Sequence, residues 1–467
     1  MPDRTILSIL FAALVAIVCM LFARTSSSAP FGYDEADYMS AGQQGLWANY
    51  SDRNSMPLTT IVREGVGLTR DGSQRRSLSQ MVRASGDISF YRHYHGPIYA
   101  YWIGAWHALG VKEEATYRAT GLLLHASLAI CIFLLFPRVF PDLPPVAAFV
   151  AGSLFVLSRT ALVTATTITP HLTFELFACL TLFAVAEFLR TRKVSYWYVA
   201  AALIAATVAS VETAAVLVAA VILTVVSAEW RQGWKRVLVL LGKGGAVLII
   251  TLALIWPKGV FELNALKGYL FLAYMAMYPK AFSPIGPFDL WGFKVKAYPF
   301  ELVPLGVAFV SALIWLAKSQ HRRALSPFLV YAAMFLAVTM IITLPYTYYH
   351  SSLMASLAVV TGVVFGELWM RSAATIRVAT LAVVIGSAVW VGAEYQRERI
   401  DDRSTRNLAS ELLSYLDSRP SFERVVLVPQ VLIPMLHYYH PEIAAIGYDD
   451  DRQRTERLAK SSTGNPD

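Results

Sequence analysis

Apolar residues in this chain gather in long blocks separated by short polar segments. Crossing a hydrocarbon core takes about 17–25 helical residues. Blocks near that length lie at 6–23, 116–136, 145–161, 170–189, 236–256, 301–317, 326–344, 348–370 and 374–393. The block 195–228 is too long for one span, and Glu212 interrupts it, so it predicts two, 195–210 and 212–228. The pattern therefore predicts eleven spans. Composition agrees: 56% of the 467 residues are hydrophobic and 15% charged, against about 25% charged in an ordinary soluble domain. This excludes a disordered chain and argues against a soluble enzyme. The three cysteines, Cys19, Cys131 and Cys179, sit inside apolar runs with no CxxC or Cys/His spacing. They read as core residues rather than disulfides or metal ligands.

The net charge of +8 could suggest nucleic acid, but the placement of the charges decides otherwise. Residues 97–110 are apolar, aromatic and short for a span. With the N-terminus inside and 97–110 lying flat as an interfacial helix, Arg138, Arg190/Arg192/Lys193, Arg231/Lys235/Arg236, Lys318/Arg322/Arg323 and Arg371/Arg377 fall in cytoplasmic loops. The opposite short loops near 162–169, 211–213 and 345–350 hold no Lys or Arg. A crossing at 97–110 would invert this bias. The run after Arg4 is longer than a signal-peptide core and reads as a retained anchor. Three regions then face the exterior: the loop 24–115, the loop 257–300 and the tail 394–467 beyond a membrane domain 1–393. In the tail a helix at 402–417, a strand at 424–429, a helix at 430–439 and a strand at 443–447 form a small α/β unit. That unit is too small for a core of its own and is expected to pack on the large loops.

Candidate chemistry collects on the exterior side. Asp34 and Glu35 are adjacent carboxylates just beyond the first span, suited to a hydroxyl proton, a cation or a metal. They could equally open a helix over 35–48 as acidic first-turn residues. The run Tyr91-Arg92-His93-Tyr94-His95-Gly96-Pro97-Ile98-Tyr99 could bind phosphate or assist proton transfer, or could be an interfacial aromatic belt. His171 and Glu175 share a face of the span 170–189. Glu212 lies at an exterior turn, and Arg118 opens the span 116–136 from outside with no evident partner. Intramembrane charges cost about 2.5–3.5 kcal/mol on insertion scales, so such groups face a cavity or a partner. Hydrogen bonding between spans is the plainer account of each. Arg118, His171, Glu212, Tyr346–His350 and Asp34/Glu35 all fall on one membrane face.

The elements Asp34-Glu35-Ala-Asp-Tyr38, His95-Gly-Pro97-Ile-Tyr99, Leu109-Gly110, Arg118 and the late Pro345-Tyr-Thr-Tyr-Tyr349-His350 resemble, in order, the polyprenol-dependent GT-C glycosyltransferases. The resemblance covers about residues 1–370 and is greatest to the protein O-mannosyltransferase and lipid A aminoarabinose transferase group. That family often has Pro-Pro where this chain has Gly96-Pro97, an Asp where it has Thr169-Pro170-His171, and a lysine near Glu212. The resemblance implies an all-α polytopic membrane protein with interfacial helices in its first exterior loop. It implies an inverting transfer of a sugar from a polyprenyl-phosphate donor to an envelope lipid, glycan or protein at the outer face of the inner membrane. On this reading Asp34 is the base and Glu35 orients acceptor or sugar. Arg92, His93, His95 and Arg118 hold phosphate, and Tyr38, Tyr99, His171, Glu212, Tyr349 and His350 line the substrate site. No cofactor or resident metal is expected, although Asp34/Glu35 could hold a divalent ion, and nucleic acid is not an expected partner. The rival readings are a transporter or flippase of lipid-linked sugars, for which no internal repeat is visible, and a non-catalytic GT-C-like binding protein.

Overall fold

Among the described residues, helices fall on the long apolar blocks of the sequence. The computed structural model describes residues 4–43, 95–261, 269, 287–315, 320–341, 347–402, 408–418, 426–429, 433–440 and 445–448. Helix α1 (Arg4–Arg24) leads to a short α2 (Tyr33–Gln43), and beyond the first loop come α3 (Ile98–Ala108) and α4 (Glu114–Val139). There follow α5 (Pro145–Val156), α6 (Arg159–Ala165), α7 (His171–Thr191), α8 (Val194–Val208), α9 (Ala214–Glu229) and α10 (Trp234–Ile255). Then come α11 (Pro257–Phe261), α12 (Pro287–Ala297), α13 (Pro299–Trp315), α14 (Arg322–Ile341), α15 (Ser351–Arg371) and α16 (Ala374–Asp402). Among the described residues eight helices are long and apolar enough to cross a membrane. Two bent pairs could each make one more span, and α8 is a shorter apolar helix.

The expectation of one span over 145–161 needs correction. The helix stops at Val156 and resumes at Arg159, bent by 57°. Ser158 caps the second piece, its Oγ accepting from the Ala161 N–H at 3.2 Å. Its hydroxyl donates at 2.5 Å to Glu301 on α13, which also accepts from the Thr160 N–H and hydroxyl. A buried carboxylate thus satisfies the backbone freed by the break, as a low-dielectric setting requires. A second correction concerns 257–300, expected as a loop. It contains α12, which meets α13 at 115°.

Helix α3 has eleven residues and spans about 16 Å at 1.5 Å per residue, half a hydrocarbon core. It lies against α2 and α4, burying Tyr99 and Ile103 while the Trp102 indole donates to Thr120. Gly110 ends it at φ +84, a left-handed conformation that suits glycine, and its N–H caps the His107 carbonyl.

Helices α7 and α15 run through the middle of the bundle, where nearly every side chain is buried. Phe11 of α1 stacks on Phe133 of α4 with ring centroids 4.6 Å apart. By contrast α10 and α16 expose Ile250, Leu254, Val378 and Val383, apolar surface of the kind lipid covers. The segments placed inside by charge meet at one end of the bundle. There buried Glu229 pairs with Arg192 and Arg236, and buried Glu367 with His321 and Arg371. The segments placed outside meet at the other end, where the tail also docks. Strands β1 (Val426–Pro429) and β2 (Ala445–Tyr448) pair in parallel, Val426 opposite Ala445. Helix α17 (Leu408–Asp417) precedes them, and α18 (Ile433–Tyr439) lies between them in sequence and buries Met435 and Leu436.

This arrangement yields a labelling prediction. In intact cells, a membrane-impermeant maleimide should modify Ser418→Cys, in the tail, and spare Gln232→Cys, among the basic loops, until the membrane is permeabilised. The reverse pattern would place every site residue on the cytoplasmic side.

Candidate active site

The site is built at the end where the tail docks, and its first component is Arg118. The guanidinium is buried at the start of α4. Its Nε donates to Glu35 Oε1 at 3.0 Å, and one terminal nitrogen donates to Glu35 Oε2 at 2.5 Å and to the Pro30 carbonyl at 3.3 Å. The other donates to the carbonyls of Ser27 and Ala29 at 2.8 and 2.7 Å. A guanidinium has five N–H donors, and these contacts use all of them. The expectation that Arg118 has no evident partner is therefore corrected: it clamps Glu35 and the 27–30 turn.

Glu35 is equally committed. Beyond the Arg118 fork, Oε1 accepts from the Ile168 N–H at 3.1 Å and Oε2 from the Gly32 N–H at 3.4 Å. A carboxylate so saturated has little capacity left for a sugar, an acceptor or a metal. Among the described residues no three His, Cys, Asp or Glu side chains converge as metal ligands.

Asp34 is in a different condition. It lies in the first turn of α2, with no ion pair within 4 Å among the described residues. Burial is the main influence on its carboxyl and pushes the pKa up to about 6. The charge of His95 and a hydrogen bond from the Tyr348 hydroxyl work against that rise, and neighbouring Glu35 adds to it.

Opposite Asp34 the segment 95–98 is stitched to the turn after α8. The Gly96 N–H donates to the Ser210 carbonyl at 3.2 Å and the Ile98 N–H to the Ala209 carbonyl at 3.1 Å. A Cβ on Gly96 would collide with the Ala209 backbone, so only glycine allows this approach. The stitch delivers His95 to Glu212, Nδ1 to Oε2 at 2.8 Å, across 117 positions of sequence. Burial by itself would raise Glu212; the imidazole, by charge and hydrogen bond, holds it below the ordinary glutamate value.

Aromatic rings complete the wall. Tyr38 lies 5.7 Å from His95 and 6.2 Å from Tyr99, whose hydroxyl is hydrogen-bonded to the backbone of Thr169. His171 lies 6.1 Å from His95, 5.1 Å from Tyr348 and 4.6 Å from Tyr349. The next residue, His350, is buried, with Trp291 5.1 Å from its ring and Lys294 Nζ donating to its Nδ1 at 3.1 Å. The structure thus brings together Asp34, Glu35, Tyr38, His95, Tyr99, Arg118, His171, Glu212, Tyr349 and His350. Arg92 and His93 lie outside the described residues. Tyr348 falls within the Tyr346–His350 stretch already marked, but one member escaped the sequence reading: Lys294, which follows Trp291 by one helical turn in a segment taken for loop.

Residues 94–256 match the family described as dolichyl-phosphate-mannose-protein mannosyltransferase. That segment carries His95, Arg118, His171 and Glu212, while Asp34 and Tyr348 lie outside it. No curated protein matches the sequence significantly. The structure is similar to ArnT from Cupriavidus metallidurans bound to undecaprenyl phosphate, at a TM-score of 0.60 and 13% identity, over 98% of this chain and 88% of that one. It is also similar to the oligosaccharyltransferase AglB from Archaeoglobus fulgidus in complex with an inhibitory peptide and a dolichol-phosphate. There the TM-score is 0.54 and the identity 11%, over 94% of this chain and 64% of that one. The family match covers 163 of the 467 residues, and the likeness of fold extends over nearly the whole chain.

The clamp yields a stability prediction. Removing one partner of a buried ion pair costs about 3–5 kcal/mol, and an ammonium cannot reproduce the guanidinium fork. Arg118→Lys and Arg118→Ala should therefore both lower the melting temperature in detergent, by similar amounts. A phosphate ligand with no structural duty would instead leave both variants as stable as wild type.

Proposed function

We propose that the protein transfers a sugar from a polyprenyl-phosphate donor to an envelope acceptor at the outer face of the inner membrane, with inversion, and that Asp34 is the catalytic base. The observation that carries this reading is the division between the two adjacent carboxylates. Arg118 and two backbone N–H groups occupy Glu35, whereas Asp34 keeps a carboxyl of raised proton affinity among aromatic and imidazole side chains. A general base works best when its pKa lies near the operating pH.

In the proposed step the acceptor hydroxyl oxygen attacks the anomeric carbon as its proton passes to Asp34. The bond from that carbon to the phosphate oxygen breaks on the opposite face, and the polyprenyl phosphate departs with the electron pair. Lys294 and the His350 beside it, together with His95, are the groups proposed to stabilise the departing phosphate. Lys294 replaces Arg118 in that role because its ammonium has three donors, of which His350 takes one, and no carboxylate lies within 4 Å among the described residues. Arg92 and His93 remain proposed contributors on sequence position. Tyr38, Tyr99, His171 and Tyr349 are proposed to wall the sugar. This reading requires no metal ion.

Asp34→Asn keeps the shape and the helix start but cannot accept a proton. Transfer should fall by about 10²–10⁴-fold with an unchanged melting temperature, whereas Glu35→Gln should chiefly lose stability. An active, stable Asp34→Asn protein would leave only a helix-start role for Asp34.

The pH dependence follows from the same carboxyl. A base must be deprotonated, so kcat should rise with pH along a limb centred near 6, where Asp34 gives up its proton. A limb centred near 4 would point to a carboxylate in ordinary solvation. The substrates themselves can be named by mass spectrometry of lipids and envelope glycans from a deletion strain, in which a lipid-linked sugar should accumulate while its product disappears.

A further inference from the structure

The exterior tail, taken from sequence as a small appended unit, reaches back to the start of α2. The Tyr439 hydroxyl accepts from the Phe31 N–H at 2.9 Å and donates to Glu114 Oε1 at 2.8 Å. Glu114 sits one helical turn before Arg118 on α4. Phe31 is fully buried, with the Arg118 guanidinium 5.1 Å over its ring and the rings of Tyr438 and Tyr439 at 5.5 and 6.4 Å. The other end of α2 is tied by Gln43, whose amide donates to the Tyr438 hydroxyl at 2.8 Å. Helix α18 therefore braces α2 at both ends, with Met435 and Leu436 fully buried.

Asp34 follows Phe31 by three residues, and Gly32 between them has open space around its α-carbon. The backbone enters α2 between two anchors, the Arg118 clamp on the 27–30 turn and Glu35, and the Phe31 N–H held by Tyr439. A carboxylate accepting a proton in the transition state must sit within hydrogen-bond reach of the attacking hydroxyl, and a misplacement of about 1 Å can cost about 10²-fold. We propose that Tyr439 is a positioning residue for Asp34: its hydroxyl joins the Phe31 backbone to Glu114 and so sets the catalytic carboxylate against the helix that carries Arg118. The inference rests on the reading of Asp34 as base. It assigns the tail a part in the transfer step, not only in acceptor binding or stability.

The test measures transfer by the full-length protein. The donor is the lipid-linked sugar fraction that accumulates in the deletion strain, and the acceptor is that strain's envelope fraction. Tyr439→Phe keeps the ring and removes both hydroxyl bonds; kcat should fall about tenfold, with donor KM within twofold of wild type and an unchanged melting temperature. Tyr438→Phe loses a bond of the same kind at the far end of α2 and should keep wild-type kcat. Glu114→Ala should lower kcat less, and adding it to Tyr439→Phe should lower kcat no further, because the two act through one hydroxyl. A Tyr439→Phe protein with wild-type kcat overturns the proposal while leaving Asp34 untouched. So does a fall in kcat matched by a fall in melting temperature in both tyrosine variants, which marks plain stabilisation. An active Asp34→Asn protein overturns the base assignment and this inference with it.

Discussion

A single buried guanidinium organises the loop-rich end of this bundle. Arg118 is buried near the start of α4, a helix long and apolar enough to cross a membrane, where an unpaired charge would be costly. Its five donors are met by two carboxylate oxygens and three carbonyls, drawn from the turn after α1 and the start of α2. The carbonyls of Ser27, Ala29 and Pro30 face the cation, and α2 begins just beyond them. Glu35 then reaches the Ile168 N–H, which joins α2 to the segment between α6 and α7. Three separate stretches of chain are held by one charge constellation.

The same constellation separates two neighbouring carboxylates into different physical states. Glu35 is compensated by a cation and by backbone N–H groups, so its negative charge is stabilised and occupied. Asp34 is shielded from water without equivalent compensation, and its carboxyl holds a proton more firmly than an ordinary aspartate. Adjacent residues on a helix point about 100° apart, so one can enter a buried ion pair while the other meets different neighbours, the Tyr348 hydroxyl and His95.

The break between α5 and α6 serves this geometry. A continuous helix through 145–161 would run past the site. Stopping at Val156 lets α6 turn aside, and the chain then leads into the 166–170 segment that meets Glu35 and Tyr99. The freed backbone groups at the break need partners, and Glu301 supplies them together with the Ser158 cap. On the same side Arg159 pairs with Glu398 on the projecting end of α16 and packs over Tyr298 at 3.9 Å. Thr25, at the end of α1, takes an Arg399 hydrogen bond on its carbonyl. These outer contacts, with those of α18, enclose the turn that Arg118 clamps.

The long apolar helices, the shortness of α3 and the segregation of charge between the two ends were legible in the sequence. Each depends on local quantities: the length of an apolar run, the position of Lys and Arg, a Leu-Gly stop. The acidic pair and the His-Gly-Pro segment could likewise be marked as chemistry, because their residue types and order are unusual beside a membrane. What each charged group does was decided only by tertiary contacts. Arg118 looked unpartnered because Glu35 lies 83 residues away, and His95 meets a carboxylate 117 residues distant. The helix break depends on Glu301, 143 positions from the serine it binds. Lys294 gained meaning only beside His350, and Tyr439 only beside Phe31. Hydropathy is a sum over neighbours along the chain and survives in a one-dimensional reading. A charge at the edge of lipid is defined by the partner that neutralises it, and folding alone selects that partner.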